Sequence, residues 1–275
     1  VIERAAFEAT VLAWIAEAAR GFRSREGRAL CVGVSAPQGA GKSTLCERLI
    51  ASLADEGLRA ATLSIDDVYL SRAEQAALAS KNPGNCYLEV RGYPGTHDVA
   101  LGERTLDALS RLGASESMSV VAYDKGAFEG AGDRAHPSQW RAVEGPLDVV
   151  LFEGWMLAFS PVDHGELALD RSLAWCNERL RAYEGWRARV DQWLLMRAAP
   201  IELVIDWRIE SEQRRRAADG RGMTDAGARA YIERFLPAYR CWSIDVERRV
   251  RGDWMLATLA ADRRVVELTQ REREK

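Results

Sequence analysis

No run of about 18 apolar residues occurs in the sequence, so nothing in it reads as a membrane span. Its start carries early acidic residues in place of signal-peptide architecture. There is no excess of basic charge either. Thirty-eight Lys and Arg stand against 41 Asp and Glu, a formal net charge of −3, and this argues against nucleic acid as an obligate partner. The five cysteines are odd in number and form no C-x-x-C, so a disulfide framework and a zinc site are both excluded and the thiols read as reduced. Internal repeats, low-complexity tracts and linkers are missing, as is the guanine-reading tetrapeptide N-K-x-D. These absences leave a soluble, cytoplasmic protein with no membrane or nucleic-acid partner, a single domain over residues 1–275, and an open oligomeric state.

What is present is an alternation of short apolar runs and helical stretches. Residues 2–22 are Ala-rich, with Phe7, Val11, Trp14 and Ile15 at helical spacing, which predicts one amphipathic N-terminal helix. Leu30–Val34, Ala60–Ile65, Ser119–Tyr123 and Leu147–Phe152 read as strands. Helices are expected over Ser43–Ala54, Ser71–Ser80, Val99–Leu112, Leu167–Tyr183, Trp186–Met196 and Thr224–Tyr239, the last N-capped by Thr224. Ile201–Ile205 is a further apolar run, followed by the charged helix "WRIESEQRRRAADG". The segment "DWMLATLAADRRVVEL" closes the chain as two strands around an Asp-Arg turn. The fold class expected is α/β: a three-layer sandwich with a mostly parallel sheet, helices on both faces and a helical lid over 207–222.

The chemistry begins at "GVSAPQGAGKSTLCERL". Ala36-x4-Gly41-Lys42-Ser43 is a phosphate-binding loop pattern with a small Ala at the first glycine position, set between a strand and a helix. In that setting the backbone N–H groups of Gly39, Ala40, Gly41 and Lys42, with Ser43 and Thr44 opening the helix, cradle a nucleotide phosphate. Lys42 reaches the β- and γ-phosphates and the Ser43 hydroxyl ligates Mg²⁺. Two further acids stand at strand ends. Asp66 and Asp67 in "SIDDVYL" are placed either to accept a substrate proton or to cap the next helix. Glu153 in "DVVLFEG" is placed to hold Mg²⁺ through water. Arg208, Arg214, Arg215 and Arg216 form a charge run that reads as a solvated face or as the cover of a reaction site.

Taken together, "SAPQGAGKST", "SIDDVYL", "NPGNCYLEVRGYPGTHD", "YDKGAFEGAGDR", "VEGPLDVVLFEGWMLAF", "WRIESEQ" and "GMTDAGARAYIERFLPAY" resemble the plant-type D-glycerate 3-kinases. That is a branch of the P-loop kinases related to uridine kinase, phosphoribulokinase and pantothenate kinase, and the resemblance runs from Leu30 to Val266. It implies ATP and Mg²⁺ as cofactors and D-glycerate as the small-molecule acceptor. It implies Asp66 as base, Lys42 and Ser43 on phosphate and metal, Glu153 as the metal-side acid, and Arg216 as a lid arginine. Arg91, His97, Tyr123 and Arg134 fall in segments that line the acceptor side. A carboxylate acceptor asks for a guanidinium, for which Arg91 and Arg134 are the candidates, and Asp67 would serve the metal's hydration or a cap. Val68 and Val121 replace the Phe and Pro usual in that branch. The alternatives are the same chemistry on a nucleoside or pantothenate-like alcohol, or a nucleotide-binding regulator without turnover.

Overall fold

The computed structural model describes residues 1–163, 171–220 and 222–271. The expected helix start at Leu167 and position 221 of the expected lid lie outside the described residues. The main sheet has six strands: β1 (Leu30–Ser35), β2 (Ala60–Ser64), β3 (Val149–Gly154), β4 (Gln192–Ala198), β5 (Asp253–Leu259) and β6 (Val265–Arg271), in the order β6-β5-β4-β1-β3-β2. The first five run parallel, and β6 pairs antiparallel with β5. Every residue of "LCVGVS" in β1 and of "VVLFEG" in β3 is buried, which is why both read as unbroken apolar runs in the sequence.

From β1 the chain passes through α2 (Lys42–Asp55) to β2, two places along the sheet. From β3 it goes two places the other way to β4. Right-handed crossovers taken in opposite directions put their connecting helices on opposite faces, and this gives the three layers. The N-terminal helix α1 (Arg4–Ala19) packs on α2 and β1. Helices α3 (Arg72–Lys81) and α4 (Val99–Arg111) follow β2, and α5 (Arg171–Arg179) follows β3.

Several expectations are corrected. The helix expected over Trp186–Met196 ends at Ala188, and Gln192–Ala198 is instead the strand β4, beside β1 at the middle of the sheet. Its core "WLLM" is buried on both faces, so it shows neither the period of a strand nor that of an amphipathic helix. The run at Ile201–Ile205 opens no strand; helix α6 (Leu203–Asp219) absorbs it, and α7 (Asp225–Glu233) and α8 (Leu236–Trp242) split the single helix expected after Thr224. Thr224 does cap α7, accepting the Gly227 N–H at 3.1 Å. The strand expected at Ser119–Tyr123 lies outside the main sheet. Ser117–Val120 pairs with Arg141–Glu144, and Tyr123–Asp124 with Asp133–Arg134, as two short ribbons.

Candidate active site

Register places the acids. Glu153 on β3 stands level with Val34 of β1 on one side and Ser64 of β2 on the other, so the loop after β1, the end of β3 and the turn after β2 converge at the carboxyl edge. Open α/β sheets bind ligands at that edge.

The loop is shaped for an anion. Gly41 adopts φ +88° as the N-cap of α2, with no side chain capping the helix and open space where a Cβ would sit. The first amides of α2 are therefore free to meet a phosphate. Gly39, at φ +81°, packs so closely on α6 that a Cβ would lie 2.6 Å from Trp207 Cβ. Arg263 Nε donates to the Gly39 carbonyl at 2.8 Å, and the Gln38 N–H donates to Tyr239 Oη at 2.9 Å. The backbone is thus braced from α6, α8 and the β5–β6 hairpin. Beside it a cavity of about 630 Å³ is lined by Ala40, Ser43, Thr44, Ser211, Arg214 and Arg264, among others.

Lys42 Nζ stands 3.7 Å from Glu153 Oε2, and Ser43 Oγ donates to Glu153 Oε1 at 3.1 Å. Glu153 is buried, and its Oε2 has no hydrogen-bond partner among the described residues. A hydroxyl oxygen beside an under-satisfied carboxylate is a hard-oxygen donor set, which fits Mg²⁺ held largely by phosphate and water.

The two aspartates after β2 part company. Asp67 Oδ2 accepts the Ser64 N–H at 3.2 Å and closes a capping box on the short helical turn Ile65–Val68. Burial, with the Asp66 and Glu153 charges, pushes its carboxyl up to about 6, against the Ser64 hydrogen bond. Asp66 is free of that duty. Its Oδ2 lies 2.5 Å from Lys125 Nζ, and Tyr69 shares a hydrogen bond with it. Burial pushes the Asp66 carboxyl up, but the Lys125 and Lys42 ammoniums and the Lys125 and Tyr69 hydrogen bonds outweigh it and hold the group well below the usual carboxylate range. It is ionised at neutral pH.

His97 is buried, with its ring stacked on Tyr69 at 4.4 Å between centroids and Nδ1 2.8 Å from Tyr183 Oη. Burial lowers it to about 3, against the pull of Asp66, so the ring is neutral. Nε2 is buried without a partner among the described residues. Asp98, not His97, caps α4 by accepting the Leu101 N–H at 2.9 Å. Tyr123 packs edge-on to Tyr69 at 5.4 Å.

The guanidinium candidates are already engaged. Arg91 donates to the carbonyls of Gly130 (2.9 Å), Ala131 and Lys125 (3.3 Å). Arg134 bonds the Tyr69 carbonyl and Asp98 and lies 3.8 Å from Glu74. Arg216, expected over the loop, instead pairs with Asp225 at 2.6 Å and donates to the Met223 carbonyl across the α6–α7 turn. The arginine of that run that does line the cavity is Arg214, because Ser211 and Arg214 share the helix face that Trp207 turns toward Gly39. Sequence reasoning did not single out Lys125, Tyr69 or Arg263. Tyr69 follows Asp66 by one turn and was within reach of a local reading, whereas Lys125 and Arg263 carry no spacing signal.

Comparison with known proteins bears on this geometry. The family described as "Methylmalonyl Co-A mutase-associated GTPase MeaB" matches residues 15–72 only, the stretch holding the loop and the Asp66 turn. Across 216 residues, 78% of this chain, the sequence is 42% identical to "D-glycerate 3-kinase, chloroplastic" of Arabidopsis thaliana. It spans 47% of that relative's own length. It is 36% identical to "Uncharacterized kinase mug58" of Schizosaccharomyces pombe, over 78% of this chain and 81% of the relative. The solved structure of D-glycerate 3-kinase from Cryptococcus neoformans superposes with a TM-score of 0.87 at 29% identity, covering 97% of this chain and 99% of the other.

Proposed function

This chain belongs to the family of P-loop kinases that includes D-glycerate 3-kinase, and on that premise we propose that it transfers the γ-phosphate of ATP to the C3 hydroxyl of D-glycerate, giving 3-phosphoglycerate. The observation that carries the reading is the position of the Asp66 carboxylate, free of capping duty, paired with Lys125 and on the same sheet edge as Lys42, Ser43 and Glu153.

In this reading the first amides of α2, from Lys42 to Thr44, bind the phosphates with the glycine loop before them, and Lys42 offsets the charge that develops on the migrating phosphoryl group. Ser43 and Glu153 would hold Mg²⁺, which when bound neutralises phosphate charge, and Asp67 keeps the strand end in shape. Asp66 accepts the acceptor's hydroxyl proton and aims its oxygen at phosphorus. His97, neutral and with Nε2 unpartnered, offers a polar contact to the acceptor, and Tyr69 and Tyr123 wall that side. The cavity beside Arg214 and Arg264 takes the nucleoside, and α6 serves as its cover.

An ADP-release assay over D-glycerate, uridine, pantothenate and pentose phosphates tests the substrate. D-glycerate alone is expected to give strong release. Turnover on uridine with none on glycerate would remove the substrate, and ATP binding without turnover on any acceptor would make the chain a nucleotide-binding regulator.

A further inference from the structure

With Arg91 and Arg134 committed to protein partners, a further cation at the reacting edge is Lys125, whose Nζ lies 2.5 Å from Asp66 Oδ2. Its ammonium carries three donors, and among the described residues it pairs with Asp66 alone. The side chain is 55% exposed, so no wall of protein fixes it there. The backbone beneath it is held much more firmly. The Asp124 carboxylate accepts the N–H groups of Gly126 and Ala127 at 2.8 and 3.2 Å. Arg91 ties down the carbonyls of Lys125, Gly130 and Ala131 and lies over the Tyr123 ring at 5.4 Å. A movable cation thus stands on a braced loop and rests on the candidate base.

We propose that Lys125 is the residue that recognises the acceptor's carboxylate, moving from Asp66 to the substrate when an anionic acceptor enters. The inference rests on the kinase reading above and names its specificity device. An acceptor carboxylate arriving beside ionised Asp66 meets a like charge, and a cation placed between the two offsets that repulsion. Once Lys125 has swung to the substrate, Asp66 is free to take the hydrogen bond of the acceptor hydroxyl. A neutral polyol of similar size leaves Lys125 on Asp66, and the base stays masked. Arg91 then acts as a positioning residue for the loop, which accounts for its engagement with three carbonyls in a segment that faces the acceptor.

The test compares the full chain with its Lys125→Met and Lys125→Arg variants, using D-glycerate and glycerol as acceptors at saturating ATP, with thermal melting as the folding control. Lys125→Met is expected to raise KM for D-glycerate about 10- to 100-fold, the range for losing a hydrogen bond to a charged group, while KM for ATP stays within about twofold. The preference for glycerate over glycerol should fall by at least about tenfold, and Lys125→Arg should restore much of it. An unchanged KM for glycerate in Lys125→Met overturns the proposal. So does a drop in kcat with KM unchanged, which would put Lys125 on the phosphoryl group or on the base alone. Absence of glycerate turnover by the wild-type chain removes the kinase reading together with this inference, whereas wild-type turnover with an unaltered variant removes the inference alone.

Discussion

Replacing Asp66 by Asn tests the base assignment at one atom. The substitution keeps the shape of the side chain and an oxygen able to share a hydrogen bond with Tyr69, but it removes the negative charge that Lys125 and Lys42 stabilise. The effect on folding should be small. The Asp66–Lys125 pair is 24% and 55% exposed, and pairs with such access to water contribute about 0–1 kcal/mol. For a chain of this size that shifts the melting temperature by about 2–4 °C at most. The effect on catalysis should be much larger, because a positioned base contributes about 10²–10⁴-fold. Phosphoryl transfer passes through a loose transition state in which positioning matters as much as proton removal, so the low end of that range is compatible. The assay is kcat for ADP release with D-glycerate, beside a thermal melt and an ATP-binding measurement. A folded Asp66→Asn protein that binds ATP and keeps more than about a tenth of wild-type kcat would refute the mechanism.

Other expectations follow from the same geometry. Lys42→Ala removes a fixed charge from a sheltered site and should lower kcat by about 10²–10³-fold; a folded variant with full turnover would mean that ATP reacts elsewhere. Gly39→Ala must place a Cβ 2.6 Å from Trp207 Cβ at a φ of +81°, so it should destabilise the protein by about 2–4 kcal/mol in denaturant titration, and an unchanged midpoint would contradict the packing. The Asp67 carboxyl is raised from 3.8 to about 6, so the native chain holds a proton there that the unfolded chain has lost. Stability of the ligand-free protein from this group is therefore greatest below its unfolded value and declines as pH rises through about 6, by up to about 3 kcal/mol. Asp67→Asn should flatten that decline, and melts between pH 4.5 and 7.5 that overlay for wild type and variant would show that the group does not titrate as described.

Much of the loop was legible in the sequence because its determinants are local. Gly39, Gly41, Lys42 and Ser43 lie within one turn and one helix start, and their backbone conformations are written in the residue types. The strands β1 and β3 declared themselves as apolar runs bounded by polar ends, and the β5–β6 hairpin by its Asp-Arg turn. Strand β4 did not, since a segment buried on both faces carries no period, and its place beside β1 depends on what packs over Trp193 and Leu194.

The candidate site divides along the same line. Residue types alone marked Asp66, Asp67 and Glu153 as acids at strand ends, but only the fold decided which aspartate caps Ser64 and which is left to face Lys42. Lys125 reaches Asp66 across 59 residues of chain, and Arg91 reaches the loop of Lys125 across 34 to 40. Charges meeting at such separations obey no spacing rule, because the path of each loop is set by what it packs against. Arg216 makes the complementary point: a lid arginine by resemblance, it is drawn to Asp225 once α6 and α7 fold against each other. Sequence fixes which groups a chain has to offer near each strand end, and tertiary packing decides which of them stand within hydrogen-bond reach.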